Sequence, residues 1–196
     1  MHYSGIILAG GESQRMGQDK RFLPINGKPL IVWTVEQLRS LVEEIILVTL
    51  EPELLYRMCP QLVATPDVRV VADRYPGLGV LAGLQAGLAE AQGDWAFVVA
   101  GDMPMLNIAL LYAMATLTRM ERVDIIVPRW HGELETLHAL YRPAFCASAA
   151  EAVLLQGRRR IISFYSTVRV RVVDEDDVAR VDPEVNSFFN VNTPRE

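Results

Sequence analysis

Apolar runs of strand length recur along this chain, and amphipathic stretches of helix length separate most of them. That alternation is the pattern of an α/β domain built on a mostly parallel sheet. It predicts strands at residues 3–9, 44–49, 68–72, 95–100 and 124–127, then a hairpin through His131-Gly132-Glu133 and a return strand at 137–141. The run at 95–100 is apolar throughout, as expected of a strand covered on both faces. Ile31, Val35, Leu38 and Val42 fall at helical spacing, as do Leu81, Leu84 and Leu88, and further helices are expected at about 53–58, 107–120 and 144–155. A strand at 168–173 follows, and the acidic stretch 174–177 reads as a solvated turn.

With 196 residues, 51% of them hydrophobic, the chain can bury a substantial core, and a single domain over 1–196 is expected. Its net charge of −5 argues against nucleic acid or an anionic membrane as the main partner, because both reward basic surfaces. Cys59 and Cys146 form no CxxC, and two incidental thiols are the simplest reading. His2, His131 and His138 show no HExxH spacing, and no GxSxG is present, so histidine-metal and serine-hydrolase chemistry are set aside. There is no basic-then-apolar leader and no apolar run long enough to cross a bilayer, so a cytoplasmic protein is expected.

The first strand ends abruptly in Gly10-Gly11, and a polar loop carrying Arg15, Gly17, Asp19 and Lys20 follows. Paired glycines let the backbone approach a ligand closely. Successive amides in such a loop form a concave anion site, to which Arg15 and Lys20 add full charge. The sequence is neither a Walker A loop nor GxGxxG. It reads as a triphosphate seat, with a tight turn bearing two surface cations as the plain alternative.

Two further strands end in polar residues, at Asp73 and at Asp102. In an open α/β sheet, ligands bind outside the carboxyl ends of the strands, so parallel strands would gather all three ends on one edge. Asp102, within Gly101-Asp102-Met103-Pro104, can serve as a Mg²⁺ ligand beside phosphate oxygens or as a turn residue before the next helix. Asp73 can accept from the N1–H and N2–H₂ donors of guanine or from ribose hydroxyls, and Gly77, Gly79 and Gly83 would let a flat base approach. The run Arg158 to Arg160 is either a solvated face or positive charge for a second, phosphate-bearing substrate.

Taken together these residues resemble the MobA-type molybdenum cofactor guanylyltransferases. LAGGESQRMGQDK looks like the family's LAGGxSxRMGxDK, and FFNVNTPRE like its FxNINTPED; Asp73, PGLGVLAGL and GDMP stand between them. The resemblance spans nearly the whole chain. It implies a Rossmann-like three-layer nucleotidyltransferase fold, with GTP and molybdopterin-bound molybdenum as substrates and Mg²⁺ as cofactor. It also implies that Leu8, Ala9, Gly10, Lys20 and Asp73 contact GTP, that Asp102 contacts both GTP and the metal, and that Asn190 and Asn192 lie near the pterin. Arg15, Lys20 and Asp102 would carry catalysis, and transient contacts with cofactor-synthesis or acceptor proteins would be expected. Thr136 stands where the family pattern has proline, Arg195 where an acidic residue is common, and Thr49 where some members have asparagine. The rival readings are a CTP- or sugar-phosphate-type nucleotidyltransferase and a non-catalytic GTP- or pterin-binding accessory protein.

Overall fold

The computed structural model describes residues 1–10, 20–183 and 188, with Lys20 described by its backbone. The chain opens with β1 (Tyr3–Leu8). A small antiparallel pair, β2 (Pro24–Ile25) and β3 (Lys28–Pro29), leads into α1 (Leu30–Leu38). β4 (Glu44–Thr49), the short helices α2 (Pro52–Met58) and α3 (Pro60–Val63), and β5 (Val68–Ala72) come next. Then follow α4 (Val80–Glu90), β6 (Trp95–Ala100) and α5 (Ile108–Met120). The last part holds β7 (Ile125–Trp130), β8 (Glu133–Leu134), β9 (His138–Tyr141), α6 (Pro143–Leu154), β10 (Val170–Val173) and α7 (Glu175–Val181).

The main sheet runs β10-β7-β9-β6-β1-β4-β5, with β8 hairpinned onto β7. β5, β4, β1 and β6 are mutually parallel. β9 runs against both of its neighbours, β6 and β7, while β10 is parallel to β7. Since β4 and β6 flank β1 on opposite sides, the crossovers diverge at β1, and that is where such sheets form a ligand crevice.

Side-chain alternation along the strands sends two apolar sets to opposite faces. Ile7, Leu47, Phe97 and Val99 pack with α1, α5 and α7, and Ile6, Ile46, Val48 and Val98 pack with α4 and α6. The result is three layers, helices covering both faces of a mostly parallel sheet. α4 rides unusually close to it: a Cβ at Gly87 would stand 2.5 Å from Ile6 Cγ2 and 3.1 Å from Val48 Cγ2.

One segment departs from the sequence reading. Residues 174–177 do not form a simple turn; Asp174 occupies the N-cap position and Glu175, Asp176 and Asp177 fill the first turn of α7. Negative charge there is favourable against the unpaired amides and positive dipole end of a helix, and Val178 is buried in the core one turn on.

Candidate functional site

At its carboxyl edge the sheet is knitted past the last strand residues. Ala9 N donates to Val48 O at 2.8 Å, Gly101 N to Leu8 O at 3.0 Å, and Asp73 N to Thr49 O at 3.1 Å. The ends of β1, β4, β5 and β6 are therefore locked side by side, which brings Leu8, Ala9, Gly10, Asp73 and Asp102 to one edge, as the sequence reading expected. Arg15, Asn190 and Asn192 lie outside the described residues, as do Gly11, Gly17 and Asp19. Lys20 begins a 3-10 turn, Lys20–Phe22.

A cavity of about 440 Å³ opens on this edge, lined among others by Leu8, Gly10, Thr49, Asp73, Gly79 and Arg159. Asp73 is oriented by an Asx turn in which its Oδ1 accepts from Tyr75 N at 2.8 Å. Gly77 and Gly79 hold φ of 82° and 80°, a left-handed conformation that a β-carbon penalises, and they turn the chain into α4. The N-terminus of α4 thus borders the cavity through Gly79 and Val80. Its unpaired amides and the Arg159 guanidinium make this wall electropositive.

Arg159 reaches the cavity because α6 ends at a glycine. Gly157 (φ 80°) donates to Leu154 O at 2.8 Å and Arg158 N to Val153 O at 3.1 Å, which reverses the chain onto the rim beside Gly79. Of the basic run 158–160, Arg159 therefore belongs to the cavity bounded by Asp73. The sequence signal was the run itself, but its destination depends on a turn at residue 157.

The floor of the cavity is braced from the opposite face of the sheet by Arg21, which sequence reasoning passed over. Its guanidinium is buried and donates to Ala9 O, to Thr49 Oγ1 at 2.9 Å and to Glu51 Oε2 at 3.1 Å. Thr49 Oγ1 also accepts from Glu51 N at 3.1 Å.

A second cavity, of about 320 Å³, lies on the same edge beyond β6 and is lined by Asp102, Met103, Glu135, Thr136 and Leu137 among others. The loop bearing Asp102 is held by α1, through Thr34 Oγ1 to Met103 O at 3.3 Å and Gln37 Nε2 to Pro104 O at 2.6 Å. Glu135 enters because β9 is reversed, so the segment preceding that strand, not the one following it, meets the ends of β6 and β7. Burial pushes the Glu135 carboxyl above its ordinary range, and the nearby Glu133 charge adds to this while His131 opposes it. Among the described residues no group of three or more His, Cys, Asp or Glu could hold a metal. The Asp102 carboxylate is a donor type suited to an ion that takes its other ligands from phosphate and water.

Residues 5–170 match the MobA-like NTP transferase domain family. The chain belongs to that family. A molybdenum cofactor guanylyltransferase of Desulfosudis oleivorans is 34% identical over 98% of this chain and 91% of that protein. One of Syntrophotalea carbinolica is 32% identical over 97% and 86%. Among solved structures, molybdopterin-guanine dinucleotide biosynthesis protein A from Archaeoglobus fulgidus superposes with a TM-score of 0.81 at 26% identity, covering 98% of this chain and 93% of that one. In this MobA-like domain the two cavities lie at the carboxyl edge of the sheet, where open α/β folds bind ligands. No helix among the described residues is long and apolar enough to cross a membrane.

Proposed function

We propose that this protein transfers GMP from GTP to molybdopterin-bound molybdenum, releasing pyrophosphate and forming the guanine dinucleotide form of the molybdenum cofactor. The observation that carries the reading is the convergence of Gly10, Asp73, Arg159 and the α4 N-terminus on one cavity at the divergence point of the sheet, with Asp102 at the adjoining strand end. It is supported by full-length relatives that bear the guanylyltransferase name.

In this reading Asp73 accepts from the donor edge of guanine, while Leu8, Ala9 and Gly10 line the nucleoside. Arg15 and Lys20 neutralise the phosphates, aided by Arg159 and the amides of α4. The acceptor's terminal phosphate oxygen attacks the α-phosphorus in line; a new P–O bond forms as the bond to the bridging oxygen breaks, and pyrophosphate carries away the electron pair. Such a displacement needs positioning and charge stabilisation more than a covalent nucleophile. Asp102 would hold Mg²⁺, which when bound supplies charge neutralisation and a template for the phosphates. Asn190 and Asn192 would lie on the pterin side. The reaction would occur within one domain spanning 1–196, in the cytoplasm, with transient contacts to proteins that make or accept the cofactor.

The test is pyrophosphate release from Mg²⁺-GTP with and without molybdopterin-bound molybdenum, with CTP and ATP as competitors. Release that requires the molybdenum substrate and is specific for GTP supports the reading. Equal use of CTP, or nucleotide binding without release, overturns it.

A further inference from the structure

The cavity beside Asp102 contains a carboxylate that the protein itself does not satisfy. Glu135 is half-buried, and among the described residues its side chain has neither a hydrogen bond nor an ion pair. Other enclosed acidic groups among the described residues are engaged, Asp124 with Arg169, and Glu44 with Ser4, Gln92 and Arg69. A partly desolvated carboxylate without donors is unfavourable, and a ligand that brings donors removes the penalty.

The backbone that presents Glu135 is fixed. Glu135 N donates to Pro128 O at 2.9 Å, Thr136 N to Leu134 O at 3.0 Å, His138 N to Glu135 O at 3.0 Å, and the buried Tyr141 hydroxyl to Thr136 O at 2.8 Å. The carboxylate is thus held out from a rigid turn. Around it, Met103, Leu134 and Leu137 give the cavity apolar walls. Its volume, about 320 Å³, falls at the small end of the roughly 300–1,000 Å³ range of ligand pockets. A flat, partly apolar ring with hydrogen-bond donors on one edge matches this chemistry. A phosphate does not match Glu135, whose charge would repel it.

We propose that Glu135 reads the pyrimidine edge of the acceptor's pterin, accepting hydrogen bonds from ring N3–H and the 2-amino group while the ring rests against Met103, Leu134 and Leu137. The inference rests on the pterin-phosphate acceptor proposed above and gives it a direction: phosphate toward the β1–β6 divergence, ring toward β9. Glu135 is then a specificity-determining residue, distinct from the groups that handle the phosphates. A two-donor edge pairs with a carboxylate, whereas an amide in its place turns one of its own donors onto that edge.

Glu135→Gln and a pair of probes test this. Pterin and lumazine share the bicycle, but lumazine carries a carbonyl in place of the 2-amino group. Fluorescence titration in the presence of Mg²⁺-GTP should show the wild-type protein binding pterin about tenfold or more tighter than lumazine, with Glu135→Gln losing the preference. In turnover, the variant should raise the KM for molybdopterin-bound molybdenum by about tenfold or more and leave the affinity for GTP unchanged. Equal binding of the two probes by the wild-type protein overturns the assignment, even if the variant does not fold. So does a Glu135→Gln protein whose Mg²⁺ dependence shifts while its pterin preference persists, since that would place a cation at Glu135. Discrimination through Glu135 without any pyrophosphate release would uphold the pterin site and remove the transferase reading instead.

Discussion

The guanidinium of Arg21 donates to the carbonyl of Ala9 and so extends the β1–β4 ladder one rung beyond its backbone bonds. With Thr49 Oγ1 as the other end of that rung, a side chain adjacent to Lys20 holds two strand ends that frame the larger cavity. Replacing it with methionine keeps the aliphatic stem but removes the guanidinium donor from the Ala9 carbonyl and leaves the Thr49 hydroxyl with the Glu51 amide alone. Arg21→Met is expected to lower stability by about 2–3 kcal/mol and to raise the KM for GTP several-fold, checked by urea denaturation and initial rates. Arg21→Lys restores the charge without the planar fork and should recover only part of the loss. The pair with Glu51, which is nearly half exposed, contributes little on its own.

Lys20 and Asp102 make the opposite prediction. Lys20→Ala and Asp102→Ala should each reduce turnover by about two to three orders of magnitude, while the unfolding free energy moves by less than about 1 kcal/mol. Wild-type rates in both variants would remove these residues from the site.

Gly87 tests how closely α4 must lie. Adding one methyl there meets Ile6 Cγ2 at 2.5 Å on a central strand. Despite the better helix propensity of alanine, Gly87→Ala is expected to destabilise by about 1–3 kcal/mol, read as a lower denaturant midpoint. The displaced helix should also weaken GTP binding, because its first turn forms a wall of the cavity.

His138 should make folding sensitive to mild acid. The ring is fully buried, its two nitrogens lack hydrogen-bond partners among the described residues, and Phe188 meets it edge-on at 5.2 Å. Burial pulls its pKa from 6.5 to about 4, although the buried Asp182 opposes the change. The unfolded chain therefore binds a proton that the native state refuses. Stability is complete above about pH 6.5 and declines by up to roughly 3 kcal/mol as pH falls toward 4. Denaturation curves across that window should flatten in His138→Leu. Asp124 and Asp67, held below the ordinary carboxylate range by Arg169 and Arg39, lose their contributions only at more acid pH, so the two effects separate.

Much of this was legible in the sequence because burial on both faces forces strands to be written as apolar runs. The strands at Glu44–Thr49, Val68–Ala72 and Trp95–Ala100 fall where the pattern places them, and their polar terminators, Asp73 and Asp102, follow. What was not legible depends on chain reversals and long-range closure. Arg159 meets Gly79 only after α6 ends at Gly157, and Arg21 meets Ala9 and Thr49 only once β1 and β4 are paired. The hairpin return was legible, but Glu135 comes beside Asp102 only because β9 inserts between β7 and β6. The acidic start of α7 was misread because clustered Asp and Glu suit a solvated turn and a helix N-terminus equally well.

The reversal of β9 also bears on how such a protein can be changed. The walls around Asp73 come from residues 8–83 and Arg159, whereas Glu135 and its neighbours belong to a hairpin whose two legs are fastened to the sheet by β7 and β9. The hairpin tip can lengthen, shorten or be exchanged for another without altering the order of the strands that carry Gly10, Asp73 and Asp102. Under the acceptor site proposed for Glu135, acceptor choice and nucleotide choice would fall largely on separable pieces of chain, and a graft of residues 129–137 would redirect the first while keeping the second.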